Sequence, residues 1–142
     1  MQNKLSSLST YLFVSDIDRS LAFYKQLGME VEKVSSSFAR SLIGGEVVLE
    51  LGTAELTLSY DPGYVAPDNI SKGTINFELA SRAAVDEKFA ELVASGYTGH
   101  LSPIEALWQA RFAIVLDPDG NQVGLHSPRN LEEDRSREHG QA

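Results

Sequence analysis

The chain contains no cysteine, which excludes a disulfide scaffold, thiolate zinc sites, iron–sulfur clusters and thiol nucleophiles. Positive charge is scarce: 12 Lys and Arg stand against 20 Asp and Glu, for a net charge of -8. Such a surface has little with which to displace counterions from a phosphate backbone, so nucleic acid is not an expected partner, and neutral or cationic molecules fit better. No apolar run approaches the ~20 residues needed to cross a bilayer. The segment Met1–Ser9 has no apolar stretch of signal-peptide length, so a cytoplasmic location away from any membrane is expected. Gly-x-Ser-x-Gly, Gly-x-Gly-x-x-Gly and phosphate-loop patterns are all missing, which leaves covalent catalysis unsupported. Only three His remain as metal-ligating imidazoles.

What is present is one domain's worth of sequence, 142 residues of which 42% are apolar. Thr10 to Val14 reads as a strand that hands over at Ser15-Asp16 to a helix, with Asp16 as N-cap. Ile17, Leu21, Tyr24 and Leu27 mark that helix, and Gly28 ends it. Glu30 to Ser35 reads as a second strand, and Ser36–Gly45 shows no assignable pattern. Val47–Leu51 and Glu55–Tyr60 are expected to form a hairpin around Gly52-Thr53-Ala54, ended by Asp61-Pro62-Gly63. Gly63 to Gly73 reads as a linker. Thr74 to Leu79 alternates as a half-buried strand, and Ser81 caps a helix bearing Val85, Phe89, Leu92 and Val93. A short strand from Thr98 and a loop from Pro103 to Trp108 follow. A hairpin of Arg111–Leu116 with Val123–His126 then closes around Asp117-Pro118-Asp119-Gly120. The expected organisation is a segment 1–8, one domain over 9–128 with modules of about 9–61 and 73–127, and a charged, disordered tail over 129–142.

Each helix is followed by three strands rather than one, so the chain is an α+β protein built from an internal repeat, not a doubly wound sheet. Setting Ser9 opposite Thr74, and Gly52-Thr53-Ala54 opposite Asp117–Gly120, places Thr57 opposite Gly124.

The run Val14-Ser15-Asp16-Ile17-Asp18-Arg19-Ser20-Leu21-Ala22-Phe23-Tyr24 with Leu27-Gly28, and the closing Leu116-Asp117-Pro118-Asp119-Gly120-Asn121, resemble the vicinal oxygen chelate superfamily. That superfamily includes glyoxalase I, bleomycin-resistance proteins and extradiol dioxygenases. The resemblance spans about Ser9 to Ser127. It implies two βαβββ modules whose curved sheets enclose a cavity, within a homodimer. It also implies a divalent metal held from the start of each module's first strand and from its last strand. Carried onto this sequence, those positions are Ser9, Thr57, Thr74 and Gly124, where His or Glu is expected. Hydroxyls and a glycine supply neither charge nor imidazole, so the resemblance points to the metal-free, bleomycin-resistance type, with no cofactor.

Strand alternation sends Leu12, Val14, Ile75, Phe77, Leu56, Leu58, Val123 and Leu125 toward the helices. It leaves Tyr11, Phe13, Thr57, Thr74, Asn76, Glu78 and His126 on a mixed polar and aromatic face. Tyr11, Phe13, Thr57, Thr74, Asn76 and the loop residue Trp108 are the candidate ligand-binding set. His126 reads as an acid–base group or as an exposed strand-end histidine. Arg111 reads as pointing inward if Phe112, Ile114 and Leu116 cover the helix. Glu50 lies in a strand whose register the sequence leaves open. The expected function is metal-free binding and sequestration of a small cationic or aromatic compound. The alternative is an enzyme of lyase, isomerase or dioxygenase type with a relocated site at Glu78, His126 and Arg111.

Overall fold

The computed structural model describes residues 7–65 and 73–129, and these fall into two compact units that divide between 69 and 70. The expected tail beyond Arg129, most of the segment 1–8 and most of the linker lie outside the described residues. The first unit holds β1 (Thr10–Phe13), α1 (Ile17–Leu27), β2 (Val31–Lys33), β3 (Phe38–Ile43), β4 (Glu46–Gly52) and α2 (Ala54–Tyr60). The second holds β5 (Thr74–Glu78), α3 (Arg82–Ala94), β6 (Gly99–Ala106), β7 (Ala110–Leu116) and β8 (Gln122–His126). The sheet orders are β1-β4-β3-β2 and β5-β8-β7-β6. In each, the first and last strands of a βαβββ module pair in parallel and the remaining pairs are antiparallel. The expected α+β architecture of two βαβββ modules is therefore the observed one; neither sheet is closed.

Local chemistry sets the boundaries. Asp16 accepts from the Arg19 amide, and Gly28 closes α1 at φ 117, a left-handed conformation that an L side chain resists. Ser81 caps α3 by accepting from Ala84. The helix-facing sides of the strands are Leu49 and Leu51 in the first unit, and Ala113, Val115, Val123 and Leu125 in the second. Phe23, Tyr24 and Leu27 of α1 and Val85 and Leu92 of α3 are buried with them. Each such large side chain contributes about 1.5–3 kcal/mol through apolar burial.

The structure fills one segment that the sequence leaves open and corrects one expectation. The unassigned Ser36–Gly45 segment contains β3, which turns back into β4 at Gly44-Gly45, both at positive φ (60 and 83). That pair of left-handed residues is what a tight hairpin requires. The hairpin read around Gly52-Thr53-Ala54 does not exist, because residues 54–60 are helical. Thr53 caps that helix, and Thr57 and Ser59 bond back to the carbonyls of Thr53 and Leu56. Alternation over six residues suits a strand, but a capping threonine followed by Ala-Glu-Leu favours the helix. Leu56 and Leu58 accordingly lie on α2, with Leu58 exposed, and not on the helix-facing side of a sheet. A smaller correction concerns β6, which runs on through Pro103 to Ala106. It pairs only with β7, so Pro103 sits in an edge strand where its missing N–H is tolerated.

The β7–β8 turn depends on one carboxylate. Asp117, 4% exposed, accepts from the backbone amides of Asp119 and Asn121 and from Asn121 Nδ2, each at 2.9 Å. Asp117→Ala is expected to cost about 2–4 kcal/mol in denaturant unfolding, because it leaves three partly buried donors without their acceptor. A loss under about 0.5 kcal/mol would show that water replaces the carboxylate.

Candidate functional site

The open face of each sheet, the side away from its core helix, follows from the strand pairing. In the second unit Thr74 pairs with Gln122, Asn76 with Gly124 and Glu78 with His126, while Phe112 of β7 stands opposite His126. The turn between β6 and β7 brings Trp108 onto this face. Its Nε1–H donates to His126 Nε2 at 2.8 Å, and the two ring planes lie within 7° of each other. The bond requires neutral His126 with its proton on Nδ1. Phe112 presents its ring edgewise to both, at centroid distances of 5.4 and 6.0 Å. The turn is held from several sides: Gln109 adopts φ 61, Arg82 Nη2 donates to the Gln109 carbonyl, and Arg129 Nε donates to the Trp108 carbonyl. Trp108 is nonetheless 37% exposed. Thr74 donates to Gln122 Oε1 at 3.0 Å.

Arg111 is a correction. Ala113 and Val115, which alternate with Phe112 and Ile114, are fully buried, so Phe112, Ile114 and Leu116 take the open face. Arg111 lies on the helix side, with Nε on Asp86 Oδ1 of α3 at 2.9 Å and Nη1 3.7 Å from Glu105. The structure thus brings Glu78 and His126 together and commits Arg111 to an ion pair elsewhere.

In the first unit Tyr11 pairs with Glu50 and Phe13 with Gly52. The rings of Tyr11 and Phe13 meet at 5.4 Å, and Phe13 meets Tyr64 at 4.9 Å. Ser9 Oγ donates to Glu50 Oε1 at 3.1 Å. Thr57, expected on this face as a strand residue, is instead a buried residue of α2 whose hydroxyl is used by the Thr53 carbonyl. Tyr11 leans across Gly52 so closely that a Cβ there would lie 1.7 Å from its hydroxyl oxygen. That hydroxyl is shut off from solvent without a completed hydrogen bond. Burial raises its pKa above the ordinary tyrosine value; the Thr57 hydroxyl opposes the shift, and Tyr60 and Glu50 add to it.

A family model for the Glyoxalase/Bleomycin resistance protein/Dioxygenase superfamily matches residues 5–125, and the chain belongs to that superfamily. No curated protein sequence matches it significantly. Among solved structures, a hypothetical protein from S. aureus is 18% identical with a TM-score of 0.76, covering 89% of this chain and 97% of that one. The genomically encoded fosfomycin resistance protein of Listeria monocytogenes, solved with Mn(II) and sulfate, is 22% identical with a TM-score of 0.70, over 98% and 100% of the two chains. A lactoylglutathione lyase from Agrobacterium tumefaciens is 19% identical with a TM-score of 0.63, over 88% and 96%. At these identities the likeness establishes the fold and carries no activity across.

The strand pairing also moves one ligand position. Since Asn76 pairs with Gly124 and Tyr11 with Glu50, the residue equivalent to Gly124 is Glu50, not Thr57. The positions at which the superfamily holds a divalent metal are therefore Ser9, Glu50, Thr74 and Gly124. These do not fit a metal. One carboxylate is present, Thr74 is bonded to Gln122, and a Cβ at Gly124 would lie 2.0 Å from Asn76 Oδ1 and 3.0 Å from Phe112. Among the described residues no three His, Cys, Asp or Glu gather in a metal-binding group. The sequence signal that finds Glu50 is Gly44-Gly45, which fixes the β3–β4 turn and hence the register.

Two outcomes test the Tyr11 environment. Tyr11→Phe is expected to keep or raise stability by up to about 1 kcal/mol, since it deletes an unsatisfied enclosed hydroxyl. Because the native pKa is raised, the unfolded chain ionises first. Wild-type stability then falls as pH rises above about 10, and more steeply than that of the Phe variant. Parallel pH profiles would contradict this reading.

Proposed function

We propose that this protein binds a small organic molecule with an aromatic or cationic part on its open sheet faces, without a metal, and sequesters it. The observation that carries the reading is the Trp108 indole: tied to His126, flanked by Phe112, and still more than one-third exposed. An aromatic surface fixed in orientation yet open to solvent suits stacking on a flat or cationic group. On the face that carries Trp108, Asn76 and Thr74 supply polar groups; on the open face of the first unit, Tyr11 and Phe13 supply aromatic ones, whereas Thr57 is buried in α2. Metal independence is supported by the donor set at Ser9, Glu50, Thr74 and Gly124, which holds one carboxylate and no imidazole.

The second reading, an enzyme of lyase, isomerase or dioxygenase type, draws on Glu78 beside His126. It has less support, because His126 Nε2 is occupied by the indole N–H and Arg111 is bound to Asp86. The same proposal includes a single domain over 9–128, supported by the family match across 5–125. It includes a homodimer, for which exposed Ile43, Leu58, Tyr60 and Leu107 offer apolar surface. It includes a cytoplasmic location, consistent with a chain without cysteine. No described helix is long and apolar enough to cross a membrane.

A thermal-shift screen of organic cations and aromatic compounds is expected to give a compound that raises Tm. Titration of that compound should change the emission of the single tryptophan, and Trp108→Phe should weaken binding by about 0.5–2 kcal/mol. An unchanged spectrum at saturation together with undiminished affinity in the variant would remove Trp108 from the site. Elemental analysis after dialysis should find well under one transition metal per chain. One Mn, Ni, Zn or Fe per chain would overturn the metal-free reading and favour the enzyme.

A further inference from the structure

One row of residues runs across the first sheet: Tyr11 on β1, Glu50 on β4, Arg40 on β3 and Glu32 on β2. Arg40 stands directly opposite Glu50 but turns the other way, placing Nε 3.0 Å from Glu32 Oε2. Glu32 is accordingly the main cause of the raised Arg40 pKa, with Glu50 the smallest contributor. Among the described residues no Lys or Arg pairs with Glu50, whose one described bond comes from Ser9 Oγ to Oε1. Its second oxygen, Oε2, has no described donor. Beside this half-buried carboxylate stands Tyr11, whose ring meets Phe13, 39% exposed, which in turn meets Tyr64.

These features select among cations. A guanidinium seeks both carboxylate oxygens in a fork, and Ser9 already holds one. A divalent metal needs more ligands than one carboxylate and a hydroxyl. A protonated amine can give one of its three N–H donors to a single carboxylate oxygen, leave the others to water at this partly exposed position, and gain from adjacent aromatic faces. Building on the function proposed above, we propose that Glu50 is the specificity-determining residue of a site for the ammonium group of an organic amine. The ammonium donates to Oε2, and Tyr11, Phe13 and Tyr64 take the adjoining hydrocarbon. The chain's net charge of -8 draws such a cation from solution.

The test compares 2-phenylethylammonium with 2-phenylethanol, its neutral counterpart, and with phenylethylguanidinium, by calorimetric titration of the full chain. The ammonium is expected to bind about tenfold or more tighter than the alcohol, and tighter than the guanidinium. In Glu50→Gln the ammonium and the alcohol should bind within about twofold of each other, because the attraction between carboxylate and ammonium that separates them is lost. The wild-type comparison decides the matter even if that variant folds poorly. If the alcohol binds as tightly as the ammonium, or the preference survives in Glu50→Gln, recognition by Glu50 is overturned while small-molecule binding stands. If neither compound binds and the wider screen also yields nothing, both readings fall.

Discussion

In each unit the first strand of the module pairs in parallel with the last, β1 with β4 and β5 with β8, after the chain has passed through a helix and two other strands. A parallel pair cannot be closed by a tight turn, so the intervening helix must cross one side of the sheet. That crossing commits one side of each strand to burial. Because side chains alternate, a register change of one residue would exchange Leu49 and Leu51 for Glu50, or Val123 and Leu125 for Gly124 and His126. The apolar residues therefore lock the register, and the register decides which polar and aromatic groups share the open side. Glu50 beside Tyr11, and Glu78 beside His126, are consequences of burying leucine and valine on the opposite face.

The fold was legible because its signals are local. Asp16 and Gly28 bracket α1, Ser81 opens α3, and the Asp117–Gly120 turn announces the last hairpin. Together with hydrophobic period they fix the repeated order of elements. The site was legible only where a register was. In the second unit the turn sequence placed Gly124, Asn76 and His126 correctly on one face. In the first, the alternating Glu55–Tyr60 run reads as a strand, although β4 ends at Gly52 and the run is helical, so alternation puts Thr57 on the open face and leaves Glu50 unassigned. For Arg111 the alternation admits either face, and the partner that settles it, Asp86 on α3, is far away in sequence. The bond between Trp108 and His126 was beyond any pattern, since it depends on a turn residue at positive φ and two arginine contacts to backbone carbonyls.

The two open faces share a packing device at different levels. Tyr11 lies across Gly52 and Asn76 across Gly124, each side chain filling the space its cross-strand region leaves where a Cβ is missing. A glycine weakens a strand, through backbone entropy and the absence of a side chain to pack. Here the neighbour's side chain recovers part of that contact and is itself held down against the sheet. The Tyr11 hydroxyl shows the cost of the arrangement, enclosed without a partner.

The interlock of Asn76 with Gly124 also bears on what that position can accept. A side chain introduced at 124 meets the Asn76 amide and the edge of the Phe112 ring, so a larger residue there requires the exposed Asn76 side chain to swing aside first. What stands at 76 therefore sets the room at 124, and the bare backbone at 124 is what lets Asn76 lie against the sheet.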